Sequence, residues 1–320
     1  MGRKKFYSIL LSLVLIVGTV VIISHIEDKK ESALVYQLEE YKRKVYNGKE
    51  YRYNTGLKML LFLGIDSENT NEEGQADMIS LAIFDRYKKS IKILMISRDS
   101  MVDIHQYDAA GNDLGWNQQH LALAYSYGKN PKHSSILTLQ AVSKVLGNIP
   151  IVNYITLSTS NIKVFQDIVG NLTITLDDDY TDVNKKYLKN TTITLPSDEA
   201  ETFVRYRDTT KDYSNEERMN RQKLYIEAYV EALKECLTYD REQTIEKMYH
   251  LYQQIATNLT KNEIENFVEM IMTYSFSKED IFTLEGTNQL GAYHDEFIIN
   301  EEKLEELIVQ LFYKEKTFSY

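Results

Sequence analysis

The chain has 320 residues, a formal net charge of −10 and 43% hydrophobic residues, enough apolar material for a sizeable folded core. This acidic balance excludes broad binding to a nucleic-acid backbone, because such binding requires many Lys and Arg residues against the phosphates. Cys236 is the single cysteine, so an internal disulfide and a site built from several thiolates are excluded. An anionic ligand would have to meet a local basic cluster.

An uncharged apolar run lies near the N terminus. Phe6–Ile23 contains 18 residues without a charge and, at about 1.5 Å per residue, nearly spans a hydrocarbon core of about 30 Å. The three residues before it are basic: Arg3, Lys4 and Lys5. This pattern predicts a single-pass membrane anchor over residues 1–26, with the C-terminal domain outside the cytoplasm. A cleaved signal peptide is the alternative.

The next segment, residues 27–56, is predicted to be a juxtamembrane stalk, with a short juxtamembrane helix or stalk over residues 33–49. Residues 57–320 have the pattern of one α/β domain. Short apolar runs predict strands at Leu57–Ile65, Met78–Phe84, Ile91–Ile96, Ile151–Leu157 and Leu172–Leu176. Helical spacing of apolar residues predicts helices at Ser134–Leu146, Ser160–Ile168, Ser214–Leu237, Arg241–Tyr274 and Glu301–Phe312. The alternation predicts a central sheet covered by helices.

Two aspartates stand at the ends of predicted neighbouring strands. Asp66 follows the first strand and Asp77 precedes the second, so a turn between the strands would bring both carboxylates to one edge of the sheet. Two carboxylates with open positions beside them suit Mg²⁺, which shares its remaining sites with water and phosphate oxygens. The alternative is that each aspartate is a turn or cap residue.

Basic residues occur at similar boundaries. Arg98 and Asp99 follow the third predicted strand, where a surface ion pair is the alternative to a functional role. The segment from Phe203 to Leu224 contains four arginines: Arg205, Arg207, Arg218 and Arg221. An extended chain would direct the first two to one side.

Ser214 and Glu217 have the spacing of a capping box, which predicts a helix start at this point. On that helix one face would be polar, where a core-facing helix would be apolar. It would carry Arg218, Arg221, Gln222 and Tyr225.

Together, these motifs resemble those of the LytR-CpsA-Psr family of bacterial cell-envelope proteins. The resemblance covers roughly residues 57–237, more weakly to 312, and rests on LFLGIDS, ADMIS, SRD, HLALAYSYG, NYITLSTSNIKVFQDIVGNLTI, FVRYRD and ERMNRQ. It implies a three-layer α-β-α domain with a central mixed sheet behind a membrane anchor. It also implies transfer of a glycopolymer, such as teichoic acid or capsule, from a polyprenyl-pyrophosphate carrier to peptidoglycan through a phosphodiester link.

The resemblance assigns roles by position. It makes Asp66 and Asp77 ligands of Mg²⁺, with Mn²⁺ as a substitute. The implied pyrophosphate contacts are Arg98, Arg205, Arg207, Arg218, Arg221 and Gln222, and the implied catalytic pair is Arg98 and Asp99. The chain departs from the family pattern at four positions: Ser97 for a Pro, His120 for a Lys, Asn171 for a Gly and Asn215 for an Asp.

Two other functions are compatible with the same residues. A binding or regulatory protein could hold a lipid-linked polymer without reacting, and it would keep the arginines without metal dependence. A polyprenyl-pyrophosphate hydrolase could use the same residues to release the polymer to water. Only an assay with an acceptor separates a hydrolase from a transferase.

Overall fold

The computed structural model describes residues 41–69 and 74–316. These residues divide into two compact units, a small one of residues 41–53 and 313–316 and a large one spanning Asn54–Phe312. The predicted membrane helix at Phe6–Ile23 lies outside the described residues. Among the residues that are described, no helix is long and apolar enough to cross a membrane.

The described residues form strands and helices in alternating groups. The strands are β1 (Arg43–Tyr46), β2 (Lys49–Tyr53), β3 (Leu57–Ile65), β4 (Ala76–Asp85), β5 (Ser90–Ile96), β6 (Met101–Tyr107), β7 (Asp113–His120), β8 (Asn153–Leu157), β9 (Leu172–Thr175), β10 (Thr192–Leu195), β11 (Ala256–Thr257), β12 (Ile281–Thr283), β13 (Gly286–Leu290), β14 (Asp295–Ile299) and β15 (Tyr313–Glu315). The α-helices are α1 (Pro131–Val145), α2 (Thr159–Asp167), α3 (Ser197–Arg205), α4 (Asn215–Tyr239), α5 (Arg241–Tyr252), α6 (Lys261–Thr273) and α7 (Glu301–Phe312). Short 3₁₀ helices lie at Leu121–Tyr127 and Lys278–Asp280.

A six-stranded mixed sheet, ordered β11-β8-β3-β4-β5-β12, forms the centre of the large unit. β3, β4 and β5 form an antiparallel meander, whereas β8 runs parallel to β3 and β12 runs parallel to β5. The apolar runs explain why these strands are central, since Leu61, Leu81 and Leu94 pair side by side and are fully buried. The predicted mixed α/β fold is therefore confirmed.

The two faces of β3 have different surroundings. Leu61 and Leu63 on one face are fully buried, whereas Leu60 and Phe62 on the other line an internal cavity. This alternation follows from the two-residue repeat of a strand. The cavity therefore lies along one face of the sheet, beneath the helices that follow β8.

Most predicted elements match closely. β3 and α7 have the predicted bounds, and the other predicted strands and the helices before residue 241 differ by a few residues at their ends. The predicted helix over Arg241–Tyr274 is interrupted, because residues 253–260 leave the helix and contribute β11 to the sheet. A new helix starts after Thr260, whose hydroxyl accepts a hydrogen bond from the Glu263 backbone N–H.

The small unit includes the described part of residues 33–49, the segment predicted to be a short juxtamembrane helix or stalk, and this part is not helical. The described part of that segment is a hairpin of β1 and β2 joined at Asn47 and Gly48, and both turn residues have positive φ. An Asn-Gly pair favours such a tight turn because both residues tolerate that backbone conformation. β15 pairs with the other edge of β2, giving the order β1-β2-β15.

Candidate functional site

The two predicted metal ligands lie at one edge of the central sheet. Ile65 at the end of β3 pairs with Ala76 at the start of β4, and the Asp66 N–H donates to the Gln75 carbonyl at 3.1 Å. Asp66 is exposed, and one of its carboxylate oxygens accepts from the Gln75 backbone N–H. Asp77 belongs to β4 itself, so it is neither a turn nor a helix-cap residue.

Asp77 joins two of the predicted arginines. Its carboxylate accepts hydrogen bonds from Arg98, which follows β5, and from Arg218 Nη1 at 2.9 Å. Arg98 also donates to the Gln75 side chain, and its Nε lies 3.5 Å from Asp99 Oδ1. The Arg98–Asp99 pair is therefore largely buried and is not a surface ion pair, with side-chain exposures of 17% and 9%.

Burial and repulsion act against the charge of these arginines. The pKa of Arg218 falls to about 10, first because the side chain is buried and then because Arg207 repels it. Burial likewise lowers the pKa of Arg98, against an opposing attraction from Asp99. Guanidinium groups placed this way carry unfavourable charge that an anionic ligand would offset.

Two departures from the family pattern contact each other here. Asn215 Oδ1 accepts from Arg218 Nη2 at 2.7 Å and from its Nε at 3.2 Å, and Asn215 Nδ2 donates to Ser97 Oγ at 3.1 Å. All three side chains are buried. An aspartate at this position has no N–H to donate, and a proline at 97 has no hydroxyl. The Ser97–Asn215 hydrogen bond thus ties the start of α4 to the end of β5.

Asp295 is a site residue that the sequence did not reveal. Its Oδ2 lies 3.3 Å from Arg207 Nη2 and accepts from the Tyr213 backbone N–H at 2.9 Å, and its side chain is only 12% exposed. Its carbonyl lies 3.0 Å from Nε2 of His120, another of the departures. Asp295 begins β14 in an ordinary polar hairpin, so nothing in its local sequence marks it as a partner of Arg207.

Arg207 has a second side-chain contact, with Ser214. Its Nε donates to Ser214 Oγ at 2.7 Å. This contact explains why the predicted capping box is wrong, because the Ser214 side chain makes no bond to the α4 backbone. The serine is at the predicted N-cap position, but its hydroxyl is used by an arginine.

The predicted extended geometry for Arg205 and Arg207 is also wrong. Arg205 is the last residue of α3, pairs with Glu201 one turn earlier and is partly exposed. Arg207 follows Tyr206, the residue that caps the end of α3. The helix forms because Ala200, Phe203 and Val204 provide a buried apolar face.

Arg221 is not brought into contact with the Asp77 cluster. Its Nε donates to the Phe203 carbonyl at 2.9 Å, and its Nη2 donates to the Tyr206 carbonyl. The guanidinium is 5.6 Å from the centre of the Tyr180 ring. These carbonyls belong to the end of α3, where backbone acceptors lack helical partners. Arg221 therefore stabilises the end of α3 and is almost fully buried there.

An apolar cavity of about 270 Å³ borders the cluster. Asp77, Arg205, Arg218 and Gln222 line it together with many aliphatic and aromatic side chains. Every second residue of β4 also lines the cavity: Met78, Ser80, Ala82 and Phe84. Six residues of strand span roughly 20 Å, so the cavity extends from the charged cluster along the length of β4.

Two polar side chains of α4 lie at the cavity wall near this cluster. Gln222 donates to the Val204 carbonyl at 3.1 Å, which fixes its side chain at the cavity wall. Tyr225, one turn further along α4, is buried beside the cavity, and its hydroxyl has no hydrogen-bond partner within the described structure. Burial raises the pKa of this phenol, so the hydroxyl stays protonated and is a hydrogen-bond donor.

The donor chemistry at the sheet edge fits Mg²⁺. No group of three or more His, Cys, Asp or Glu side chains suited to a metal occurs in the part of the chain that the structure describes. Mg²⁺ does not require such a group, because one or two carboxylates with phosphate oxygens and waters complete its coordination. Asp66 and Asp77 provide two carboxylates, although Asp77 already accepts from two arginines.

Comparison with known proteins places this geometry in a family. The chain is 26% identical over 225 residues to the polyisoprenyl-teichoic acid–peptidoglycan teichoic acid transferase TagU of Bacillus cereus, covering 69% of this chain and 67% of TagU. It is 26% identical to the Bacillus subtilis transferase TagT over 268 residues, covering 79% of this chain and 75% of TagT. A structure of TagT is described as bound to LIIa-WTA, with a TM-score of 0.61, 23% identity and coverage of 81% of this chain and 90% of that chain.

The fold comparison agrees with the sequence comparison. The crystal structure of B. subtilis TagV superimposes with a TM-score of 0.61 at 24% identity, covering 80% of this chain and 95% of the TagV chain. The model of the LytR_cpsA_psr family matches residues 21–312. The match covers most of the chain, which therefore belongs to the LytR_cpsA_psr family.

Proposed function

We propose that this protein is a phosphotransferase that moves a glycopolymer, such as teichoic acid or capsule, from a polyprenyl-pyrophosphate carrier to peptidoglycan. The product is a phosphodiester link. The names of TagU and TagT as teichoic acid transferases support this function. The observation that carries the proposal is a buried arginine cluster at one border of a long apolar cavity.

The charged part of the site suits a pyrophosphate. Arg98, Arg207 and Arg218 would bind its oxygens, since planar guanidinium groups form paired hydrogen bonds with phosphates. In the structure Arg98 and Arg218 share Asp77. A bound pyrophosphate would replace part of the Asp77 contact, and the arginines would stabilise the negative charge that develops on the leaving polyprenyl phosphate.

The apolar part suits the polyprenyl chain. The cavity follows β4 for roughly 20 Å and is lined beyond the cluster by side chains such as Phe62, Phe165 and Phe267. Burial of each CH₂ group contributes about 0.8 kcal/mol. A lipid tail would therefore supply most of the binding energy, and the arginines would fix the position of the pyrophosphate.

Asp66 and Asp77 would hold Mg²⁺, with Mn²⁺ as a substitute, and the bound ion would supply further charge stabilisation at the pyrophosphate. Asp99 would act through Arg98. Its carboxylate lies beside Arg98 Nε, and its backbone is fixed because its carbonyl accepts from the Phe297 N–H at 2.8 Å. Arg98 would then contact the reacting phosphate in an orientation set by Asp99.

The proposal also requires the large unit to face the cell wall, on the outer side of a membrane anchor formed by residues 1–26. A cysteine introduced at the exposed Leu290 in a Cys236→Ala background tests this topology. A membrane-impermeant thiol reagent should label it in intact cells. Labelling only after lysis would contradict the proposal, because peptidoglycan lies outside the cytoplasmic membrane.

The activity is tested with the purified full-length chain, a polyprenyl-pyrophosphate-linked glycopolymer and peptidoglycan. Release of polyprenyl phosphate should require both the acceptor and a divalent ion, and the polymer should become attached to peptidoglycan. Arg218→Ala should abolish the reaction, whereas Arg241→Ala, which removes an exposed arginine paired with Glu269 at 2.9 Å, should not. Release without the acceptor would identify a hydrolase, and tight binding without release would identify a binding protein.

A further inference from the structure

One buried tyrosine hydroxyl on the cavity wall differs from its neighbours in its hydrogen bonding. Tyr225, Tyr229 and Tyr252 all line the cavity. The Tyr229 hydroxyl donates to the Phe165 carbonyl at 3.0 Å, and the Tyr252 hydroxyl donates to the Leu259 carbonyl at 3.0 Å. Within the described structure the Tyr225 hydroxyl has no such acceptor, although the residue is only 6% exposed. An unpaired buried donor lowers stability, so its presence requires an explanation.

The ring of Tyr225 is held in the cavity wall by other aromatic side chains. Its centre lies 6.0 Å from that of the Tyr229 ring, with 22° between the ring planes, and Tyr229 stacks on Phe165 at 4.0 Å. Burial raises the pKa of the Tyr225 phenol, so the hydroxyl stays protonated and can donate. A ligand in the cavity would therefore supply the acceptor that the protein does not.

The charged end of the proposed ligand lies on the same face of α4 as this hydroxyl. Arg218, Gln222 and Tyr225 occur at i, i+4 and i+7 of the helix, and all three line the cavity. The helix rises about 10.5 Å from Arg218 to Tyr225. Two hydrogen bonds of about 2.8 Å each, with a diphosphate between them, span a distance of this order. A diphosphate bound at the arginines can therefore reach Tyr225 with one of its two phosphates.

The apolar part of the cavity determines which phosphate this is. Beyond Tyr225 along α4 the wall continues with Val230 and Leu233, where a polyprenyl chain would lie. The phosphate that carries the chain is therefore the one beside Tyr225. We propose that the Tyr225 hydroxyl donates a hydrogen bond to the lipid-bearing phosphate of the polyprenyl-pyrophosphate carrier. This inference rests on the proposed function and adds a specificity-determining residue to it, because the contact distinguishes a phosphorylated isoprenoid from a plain hydrocarbon chain.

The test measures the binding of two probes to the full-length chain in detergent micelles. The probes are farnesyl diphosphate and farnesene, a hydrocarbon of similar shape without phosphate. Tyr225→Phe removes only the hydroxyl. We expect it to lower the affinity for farnesyl diphosphate about tenfold, because hydrogen bonds to charged oxygens are strong, and to leave the affinity for farnesene unchanged. The melting temperature of the free protein should not fall, since no hydrogen bond to a described residue is lost.

Tyr229→Phe is the matched comparison, because it removes the hydroxyl that donates to the Phe165 carbonyl. It should lower the melting temperature and keep the ratio of the two affinities at the wild-type value. Equal affinity of Tyr225→Phe and the wild type for farnesyl diphosphate would overturn the proposal, as expected if a water pairs with the hydroxyl. An equal loss for both probes would also overturn it, because the hydroxyl would then act on the apolar chain. A wild-type chain that binds neither probe would contradict the proposed function itself, and this contact with it.

Discussion

Arg218 and Arg221, near the start of α4, have different surroundings that the sequence alone does not distinguish. Arg218 contacts Asp77 and Asn215 in a cluster of several guanidinium groups. Arg221, three residues later, contacts backbone carbonyls at the end of α3. Both arginines are buried. The two arginines differ in the chemistry of their partners. The neutral carbonyls satisfy Arg221, so it gains nothing by exchanging them for a ligand. Arg218 lies in a crowded cluster of like charges, so an anionic ligand would stabilise it.

Arg221→Ala is expected to have the largest effect on stability. The change leaves the Phe203 and Tyr206 carbonyls without their donor, and each unsatisfied buried acceptor costs about 1–3 kcal/mol. The free energy of unfolding should therefore fall by about 2–4 kcal/mol, measured by urea denaturation. The affinity of the folded variant for a polyprenyl-pyrophosphate analogue should stay within about threefold of the wild-type value. A loss of affinity without loss of stability would place Arg221 in the ligand site.

Arg218→Ala should have the opposite profile. Hydrogen bonds to charged groups contribute about 1.5–3 kcal/mol, so affinity for the same analogue should fall by roughly 10- to 150-fold. Stability should change little, because Asp77 keeps Arg98 as a partner and a repulsion with Arg207 is removed. Calorimetric titration and urea denaturation of the same preparation measure both quantities. If the variant is strongly destabilised but its folded fraction binds the analogue with unchanged affinity, Arg218 has a structural role, as Arg221 does.

Asp295→Ala tests whether the β14 hairpin is part of the site. Loss of this carboxylate frees Arg207 from one of its two anchors, and we expect affinity to fall about tenfold, close to 1.4 kcal/mol. Glu296→Ala is the matched control, since this neighbouring carboxylate contacts only Gln289 among the described side-chain partners. Equal effects of the two substitutions would indicate that the hairpin acts through its overall charge and not through Arg207.

Asn215→Asp should have the smallest effect. A negative charge beside Arg218 would hold the guanidinium more tightly, while the serine hydroxyl at 97 can still donate to the new carboxylate. Affinity for the analogue should fall by roughly two- to fivefold, less than about 1 kcal/mol. Ser97→Ala, which removes the acceptor of both the Asn215 amide and the Asp99 backbone N–H, is the companion variant. An increase in affinity on Asn215→Asp would contradict this expectation and would mean that the Asn215 amide weakens binding of the analogue.

The sequence predicts the sheet well because burial dictates its pattern. The apolar run of β3 has no other stable environment than a covered sheet, and its predicted bounds match the structure. The same reasoning predicts Asp66 and Asp77 at one edge, and in the structure Asp66 follows β3 while Asp77 is the second residue of β4, the strand paired with β3. Strand ends and a helix start are local features that place Arg98 after β5 and Arg218 near the start of α4, whereas only the family resemblance predicts that the two arginines share a site, as they do at Asp77.

The remaining parts of the site depend on partners that local patterns do not identify. Arg218 and Arg221 have the same helical spacing whether their partners are carboxylates or carbonyls. The contact of Asp295 with Arg207 joins residues 88 positions apart. The α3 helix has a local signal, the spacing of Ala200, Phe203 and Val204, which favours a helix up to Arg205 over an extended segment.

A crystal structure of the protein with a short polyprenyl pyrophosphate tests the central claim most directly. We expect the pyrophosphate among Arg98, Arg207 and Arg218, with the first isoprene units beside Phe62 in the cavity along β4. The contacts of Arg221 with the end of α3 should be unchanged. A pyrophosphate bound elsewhere, or a cavity that stays empty while the Asp77 contacts persist, would contradict the account.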